Sequence, residues 1–386
     1  MVWRDSVAFE LTEEENFACD TAHAFAAKEV APLAVKIDKE HYCPRELLPK
    51  MGELGLMGAI VPLEFGGAGL STLAYALIIE ELSAACASTG IIVSAHTSLC
   101  ISPIVEYGTQ EQKEYFLPRL ASAKALGCFA LSEPSTGSDA ASITTTFCRD
   151  GDDFIVSGTK NWITNGPEAD VCILFATEDT SKGNKGISAF VHDMNLAGIT
   201  RGKREDKLGI RGSPTSSVTY DNVRLPKSSL LYEKNRGFLV AMTTLNGGRI
   251  GVAAQAVGIA RSALDDALKY AAERKAFGKH ICEHQSIQNY IADMVCHIDS
   301  SRYLTLDAAK RKDQKRSFVR QAAMAKLCAS ETAMMCAIKG IQIHGGYGYV
   351  TDYPAERHLR DAKITEIYEG TSEIQRILIA TQLLKE

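Results

Sequence analysis

From Leu11 to about Cys128, apolar residues return at intervals of about 3.6, the repeat of one face of a helix. Thr12 followed by Glu15 forms a capping box, so the first helix is predicted to open there. The stretch "PLEFGGAGLS" (62–71) interrupts the pattern. Its glycines suit a phosphate cradle, yet no strand-then-helix frame surrounds them, and a turn between helices is the preferred reading. Helical patterns resume in "LAYALIIEELSAACAS" and close around "EQKEYFLPRLAS".

From about Phe129 the period changes to two. "DDFIVSG", "NWITNG", "DVCILFAT", "GISAFVHD" and "SSVTYDNVRLP" read as short strands separated by Gly, Asn, Asp and Pro, which predicts a small antiparallel β domain ending near Phe238. Long alanine-rich helical patterns follow, and helices of that length pack most simply as an antiparallel bundle. The predicted class is mainly α with a β domain: helices in 1–128, strands in 129–238 and a bundle in 239–386.

Composition adds constraints rather than a function. The 386 residues exceed what one core usually serves. With 46% hydrophobic and 23% charged residues, a mean hydropathy of −0.06 and a net charge of −5, this is an ordinary globular composition. The densest basic run, "KRKDQKR" (310–316), is too short for a nucleic-acid stripe, so no nucleic-acid partner is expected. Eleven cysteines scattered from Cys19 to Cys336, with no C-x-x-C, fit reduced thiols in an intracellular compartment. The start is acidic (Asp5, Glu10, Glu13, Glu14, Glu15), unlike a transit or signal peptide, and no uninterrupted apolar stretch is long enough to span a bilayer, so no stable membrane insertion is expected.

"HICEH" (280–284) has the letters of an inverted zinc-peptidase motif, but the glycine in the preceding "AFGK" argues for a bend, whereas two metal-sharing histidines four apart need a regular helix; no metal site is expected. No G-x-S-x-G occurs, and none of the nine histidines adjoins a plausible nucleophile. More unusual is "CFALSEPSTGSD" (128–139), where Ser132, Thr136, Gly137 and Ser138 offer hydroxyls and backbone to a polar cofactor edge. "TKNWITNG" (159–166) sets the indole of Trp162 beside the Thr164 hydroxyl, a pairing that suits a flat conjugated ring as well as ordinary core packing. "KITEIYEGTSEIQ" (363–375) presents a lone carboxylate, Glu369, beside Gly370, which alone reads equally as a solvated turn.

Taken with "ERKAFGKHI" (273–281) and "QIHGGYGY" (342–349), these motifs resemble the acyl-CoA dehydrogenase family in order and over nearly the whole chain, closest to its short-chain, butyryl-CoA branch. The resemblance implies an N-terminal helical domain, a middle antiparallel β-barrel domain and a C-terminal four-helix bundle, assembled as a homotetramer. It implies FAD as cofactor, an acyl-CoA substrate, electron-transfer flavoprotein as acceptor, and a mitochondrial matrix location, or otherwise a cytoplasmic one. Glu369 matches the base that removes the α-proton while flavin N5 takes the β-hydride. Flavin contacts fall by the same match on Phe129, Ala130, Leu131, Ser132, Gly137 and Ser138, with Ser138 also near CoA. Trp162, Ile163 and Thr164 would pack the isoalloxazine, and Thr371, Ser372 and Glu373 would touch the flavin nucleotide. Arg274, Phe277 and Gln285, with Gln342, Ile343, His344, Gly345 and Gly346, would reach that nucleotide across a dimer. Asn246, Gly247, Gly248, Arg249 and Gly370 would contact substrate. Some branches carry the base just before the matched arginine; here that position is Gly248, which leaves Glu369 as the candidate. Asn246 departs from the Asp of short-chain relatives, which puts CoA affinity in question. A short branched acyl-CoA, a non-catalytic acyl-CoA or flavin binder, and an oxidase remain as alternatives.

Overall fold

The structure, a computed structural model, describes residues 10–384; Asp5 of the acidic start lies outside them. The helical first third contains α1 (Glu13–Phe25), α2 (Ala34–Lys39), α3 (Leu47–Glu53), α4 (Thr72–Ala85), α5 (Ala87–Ser94), α6 (Ser102–Tyr107) and α7 (Gln110–Ala121). The predicted capping box is present: Thr12 Oγ1 accepts from Glu15 N at 3.2 Å and Glu15 Oε2 accepts from Thr12 N at 2.9 Å. Residues 62–71 form the turn expected, with a short 3₁₀ piece over Leu63–Phe65. Between α5 and α6 the helix continues as a π-helical segment, Ala95–Ile101. The combined helix Ala87–Tyr107 is long and apolar enough to cross a membrane by length and composition, contrary to expectation, but 94% of its most apolar stretch is buried inside the protein, as in a core helix. Its Ser, Thr and His positions hid that character in the sequence.

The middle strands are β1 (Gly127–Ala130), β2 (Thr146–Asp150), β3 (Asp153–Thr164), β4 (Val171–Thr177), β5 (Ile187–Asp193), β6 (Ile199–Arg201), β7 (Thr215–Leu225) and β8 (Leu230–Leu231). They make one eight-stranded sheet with the path β6-β7-β3-β2-β4-β5-β8, and β1 attached to β4. Most pairs are antiparallel as predicted, but β1 and β2 each run parallel to β4, so the sheet is mixed. Parallel neighbours need long connections; here the chain leaves β1 and returns to β4 after the whole β2–β3 hairpin.

Three long helices, α8 (Gly237–Glu273), α9 (Gln285–Asp313) and α10 (Val319–His344), pack together, with α11 (Ala355–Lys363) and α12 (Ser372–Leu383) against α10. Between α8 and α9 lie β9 (Lys275–Ala276) and β10 (Lys279–His280). His280 and His284 therefore sit on a hairpin and bend, as the glycine suggested. One apolar core joins α1, α4 and α5 to α8, α9 and α10, so the first and last helical regions are not separately cored. Inside it Glu80 and Glu81 of α4 meet Arg261 of α8 and Arg302 of α9, for example Arg302 Nε to Glu80 Oε1 at 2.8 Å. Charges so buried must be paired and hydrogen-bonded, and this network fixes α4 across the bundle.

Candidate active site

Two segments of the β domain that border the helices are pinned by buried polar side chains. Lys160, wholly buried, donates to Leu131 O at 3.1 Å and to Glu133 Oε1 at 2.8 Å. Glu133 in turn accepts from Thr144 N and Thr145 N at 2.6 and 2.9 Å. Burial opposes both charges, but the ammonium and these donors hold the Glu133 carboxyl down at about 2. The segment carrying Leu131 and Ser132 is thereby fixed. In the other segment, Asn165 Nδ2 donates to Ile92 O at 3.0 Å and to Gly127 O at 3.1 Å, which ties the end of β3 to α5 and β1. Trp162, just before it, has a positive φ of 60° and leaves its indole 60% exposed.

A cavity of about 700 Å³ opens between these segments, the α5 helix and α8. It gathers Phe129, Leu131, Ser132, Gly137, Ser138, Trp162, Ile163, Thr164, Arg249, Glu369, Gly370 and Thr371, all named from the sequence. It also contains residues that sequence reasoning missed. Phe238, Met242 and Leu245 precede Arg249 on one face of α8, and Ile91, Ala95 and Leu99 form one face of the buried helix. Their helical spacing was readable, but so is that of any core stripe. Ile364, Ile367, Tyr368 and Ile374 complete the wall, and Lys207 reaches it while donating to Ser213 O at 2.7 Å.

Glu369 occupies a backbone region with φ of 55°, and Gly370 follows at 98°. For a glutamate this conformation is uncommon, and such outliers collect at functional sites. Both carboxylate oxygens are buried without a hydrogen-bond partner among the described residues. Desolvation therefore raises the Glu369 pKa to about 7, against the opposing fields of Arg249 and Lys326. Gly248 makes this placement possible, because a Cβ there would overlap Glu369 Oε2. Arg249 is 94% buried and donates through Nη1 to Asn246 Oδ1, while its Nε lacks a partner. The Thr371 hydroxyl caps α12 by accepting from Ile374 N at 3.4 Å.

Other sequence-named residues lie outside this cavity. Ala130 is buried in the sheet core with Phe147 and Leu174, as strand alternation requires. Gly247 faces Lys312 of α9. Ser372 is buried with an unpartnered hydroxyl, and Glu373 is exposed on α12. Arg274, Gln285, Gln342, Gly345 and Gly346 are exposed, and Phe277 is 96% exposed. Ile343 is buried, as is His344, whose ring stacks on Tyr270 at 4.4 Å and bonds Gly340 O through Nδ1.

Three family models match most of the chain in order: acyl-CoA dehydrogenase N-terminal domain over 12–124, middle domain over 128–223 and C-terminal domain over 235–384. This chain belongs to the acyl-CoA dehydrogenase family. It is 52% identical to human mitochondrial short-chain specific acyl-CoA dehydrogenase over 97% of its own length and 91% of the relative's. Its fold matches butyryl-CoA dehydrogenase from Megasphaera elsdenii with a TM-score of 0.96 at 43% identity, covering 98% and 100% of the two chains. A chain solved in work on the electron transferring flavoprotein of Acidaminococcus fermentans matches at 0.97 with 46% identity, over 98% and 100%.

The protein is thus a flavin-dependent oxidoreductase, and its cofactor is FAD. The residues present fit that group. An exposed indole and the hydroxyls of Ser132 and Thr164 border the cavity, and the buried Thr136 and Ser372 hydroxyls have no partner among the described residues. Unpaired buried hydroxyls are costly unless a ligand or water meets them.

Proposed function

We propose that the enzyme desaturates a short-chain acyl-CoA to the trans-2-enoyl-CoA, with Glu369 as the base that takes the α-proton. The observation that carries this reading is a carboxylate buried without a partner on the wall of the cavity, with its proton affinity raised to about 7. A thioester α-proton is weakly acidic, so a base with affinity matched to neutral pH is the effective one. FAD, when bound, accepts the hydride that leaves the β-carbon as the α,β double bond forms. Ser132, Trp162 and Thr164 would hold the ring system of the flavin, and Ser138 and Arg249 the CoA portion of the substrate. Gly370 leaves the approach to Glu369 free of a side chain.

Short acyl length is supported by what fills the space along α8 beyond Gly248. The hydroxyls of Tyr75 and Ser94, bonded at 2.9 Å, crowd the position where Gly251 would carry a Cβ, and one turn further Tyr368 donates to Gln255. A buried and a part-buried hydrogen-bonded pair are poor partners for a long hydrocarbon tail. Electron-transfer flavoprotein is the proposed acceptor, on the likeness to the Acidaminococcus chain; a mitochondrial placement rests on likeness to the human relative. A homotetramer is supported by bare aromatic rings such as Phe277 and Tyr349, which are 96% and 85% exposed on one chain. Steady-state turnover of butyryl-, 2-methylbutyryl- and octanoyl-CoA tests the reading: butyryl-CoA should give the highest kcat/KM, and a preference for octanoyl-CoA would overturn the short-chain assignment.

A further inference from the structure

The Glu369–Gly370 turn lies in a backbone region that a glutamate adopts at a cost, so contacts around it must hold it there. Two side chains converge on one atom. Lys326 Nζ and Gln375 Nε2 each donate to Gly370 O at 2.8 Å, and Gln375 also reaches Glu369 O at 3.4 Å. Lys326 and Gln375 are both wholly buried, and Lys326 sits in the alanine-rich first half of α10. A lysine at such a position normally extends to water. Holding an ammonium in the interior against a carbonyl alone is unfavourable, and burial pulls its pKa down to about 8. The largest opposing influence is Glu369, with Glu366 and Glu373 adding weaker fields and Arg249 of α8 opposing them. Around Glu369 itself the charged groups are Arg249 and Lys326, and the neutral hydroxyl of Tyr75 on α4 stands in the same neighbourhood.

We propose that Lys326 is a positioning residue for the dehydrogenation: its ammonium pins the strained turn through the Gly370 carbonyl and supplies a fixed positive charge beside the base. Arg249 donates to Asn246 and borders the substrate cavity. Lys326 does not border it, and so keeps its charge in place as substrate enters and leaves. The inference rests on Glu369 being the base.

The test uses FAD-loaded enzyme with butyryl-CoA and three variants. Lys326→Gln keeps a donor and removes the charge; the acidic limb of its kcat/KM profile should move up by about one pH unit, with the plateau retained within a few-fold. Lys326→Met removes both, and should add a plateau loss of roughly tenfold or more. Flavin content and thermal midpoint report folding, and if the Met variant does not fold the limb of the Gln variant decides. An unmoved limb in Lys326→Gln overturns the proposal, as does loss of activity in the Met variant with its limb unmoved, which marks a purely structural lysine. Glu369→Gln separates the two readings: turnover retained there means that the base is elsewhere, whereas an inactive Glu369→Gln with an unmoved Lys326→Gln limb refutes the role of Lys326 alone.

Discussion

Replacing Glu369 by glutamine should make the protein more stable as well as inactive, in a pH-dependent way. In the unfolded chain this carboxyl titrates near 4.5, and in the folded protein near 7, because burial disfavours its charge. Below about pH 4.5 both states are protonated and the group adds nothing to the pH dependence. Between the two values the unfolded chain has lost the proton and the folded one has kept it, so stability falls as pH rises, and above about pH 7 the full cost is present. A rise of that size is worth about 3 kcal/mol. The carboxylate oxygens are closed to solvent, so little of this is screened away. Glutamine has no charge to desolvate, and the titrations that Glu369 does not influence are common to both proteins; Lys326, whose ammonium Glu369 favours, is the neighbour whose titration also changes. The thermal midpoints of FAD-loaded wild type and Glu369→Gln, measured without substrate from about pH 5 to about pH 8, should diverge by a few degrees in favour of the variant. A constant offset would reflect only the buried amide. Parallel curves across that range would refute the argument that the base is held by desolvation.

Further outcomes follow from the same geometry. Gly248→Ala inserts a methyl where Glu369 Oε2 lies, so it should lower kcat by roughly tenfold or more while flavin content is unchanged. Arg274→Ala should purify with less FAD than Lys279→Ala if Arg274 reaches the flavin nucleotide as the family resemblance implies; absorbance ratios of the two proteins decide it. Glu133→Gln leaves the Lys160 ammonium buried without its counter-charge, and should cost about 3–5 kcal/mol in denaturant unfolding at neutral pH. Because the Glu133 pKa is depressed to about 2, the contribution of that pair is complete above about pH 4.5 and disappears as pH falls towards 2, so the difference between variant and wild type should shrink in acid.

Periodicity carried the architecture because burial imposes it. The helical repeat, the switch to alternation near Phe129 and the long C-terminal helices each reflect one buried face. The Thr12 box was legible because its two bonds are local. Parallel pairing of β1 with β4 was not, since nothing in either strand records the direction of a neighbour some forty residues away. The π-helical turn at Ala95–Ile101 and the membrane-like composition around it were equally silent. Within the site, Glu369 became visible only through the order of several motifs, as a glutamate beside a glycine is common in turns. Lys326 could not have been found: "AAMAKL" reads as an ordinary amphipathic helix, and only the fold reveals that its lysine points inward to Gly370. Gly248 shows the reverse case. Its identity excluded a second base at once, but its need for a bare Cα became clear only with Glu369 beside it.

The central claim, that Glu369 deprotonates a short acyl-CoA for transfer of its β-hydride to the bound flavin, is tested most directly by anaerobic titration of the yellow protein with butyryl-CoA while flavin absorbance is followed. Wild type should bleach and Glu369→Gln, with the same flavin content, should not. Failure of the flavin-loaded wild type to bleach, or equal bleaching of both proteins, would contradict it.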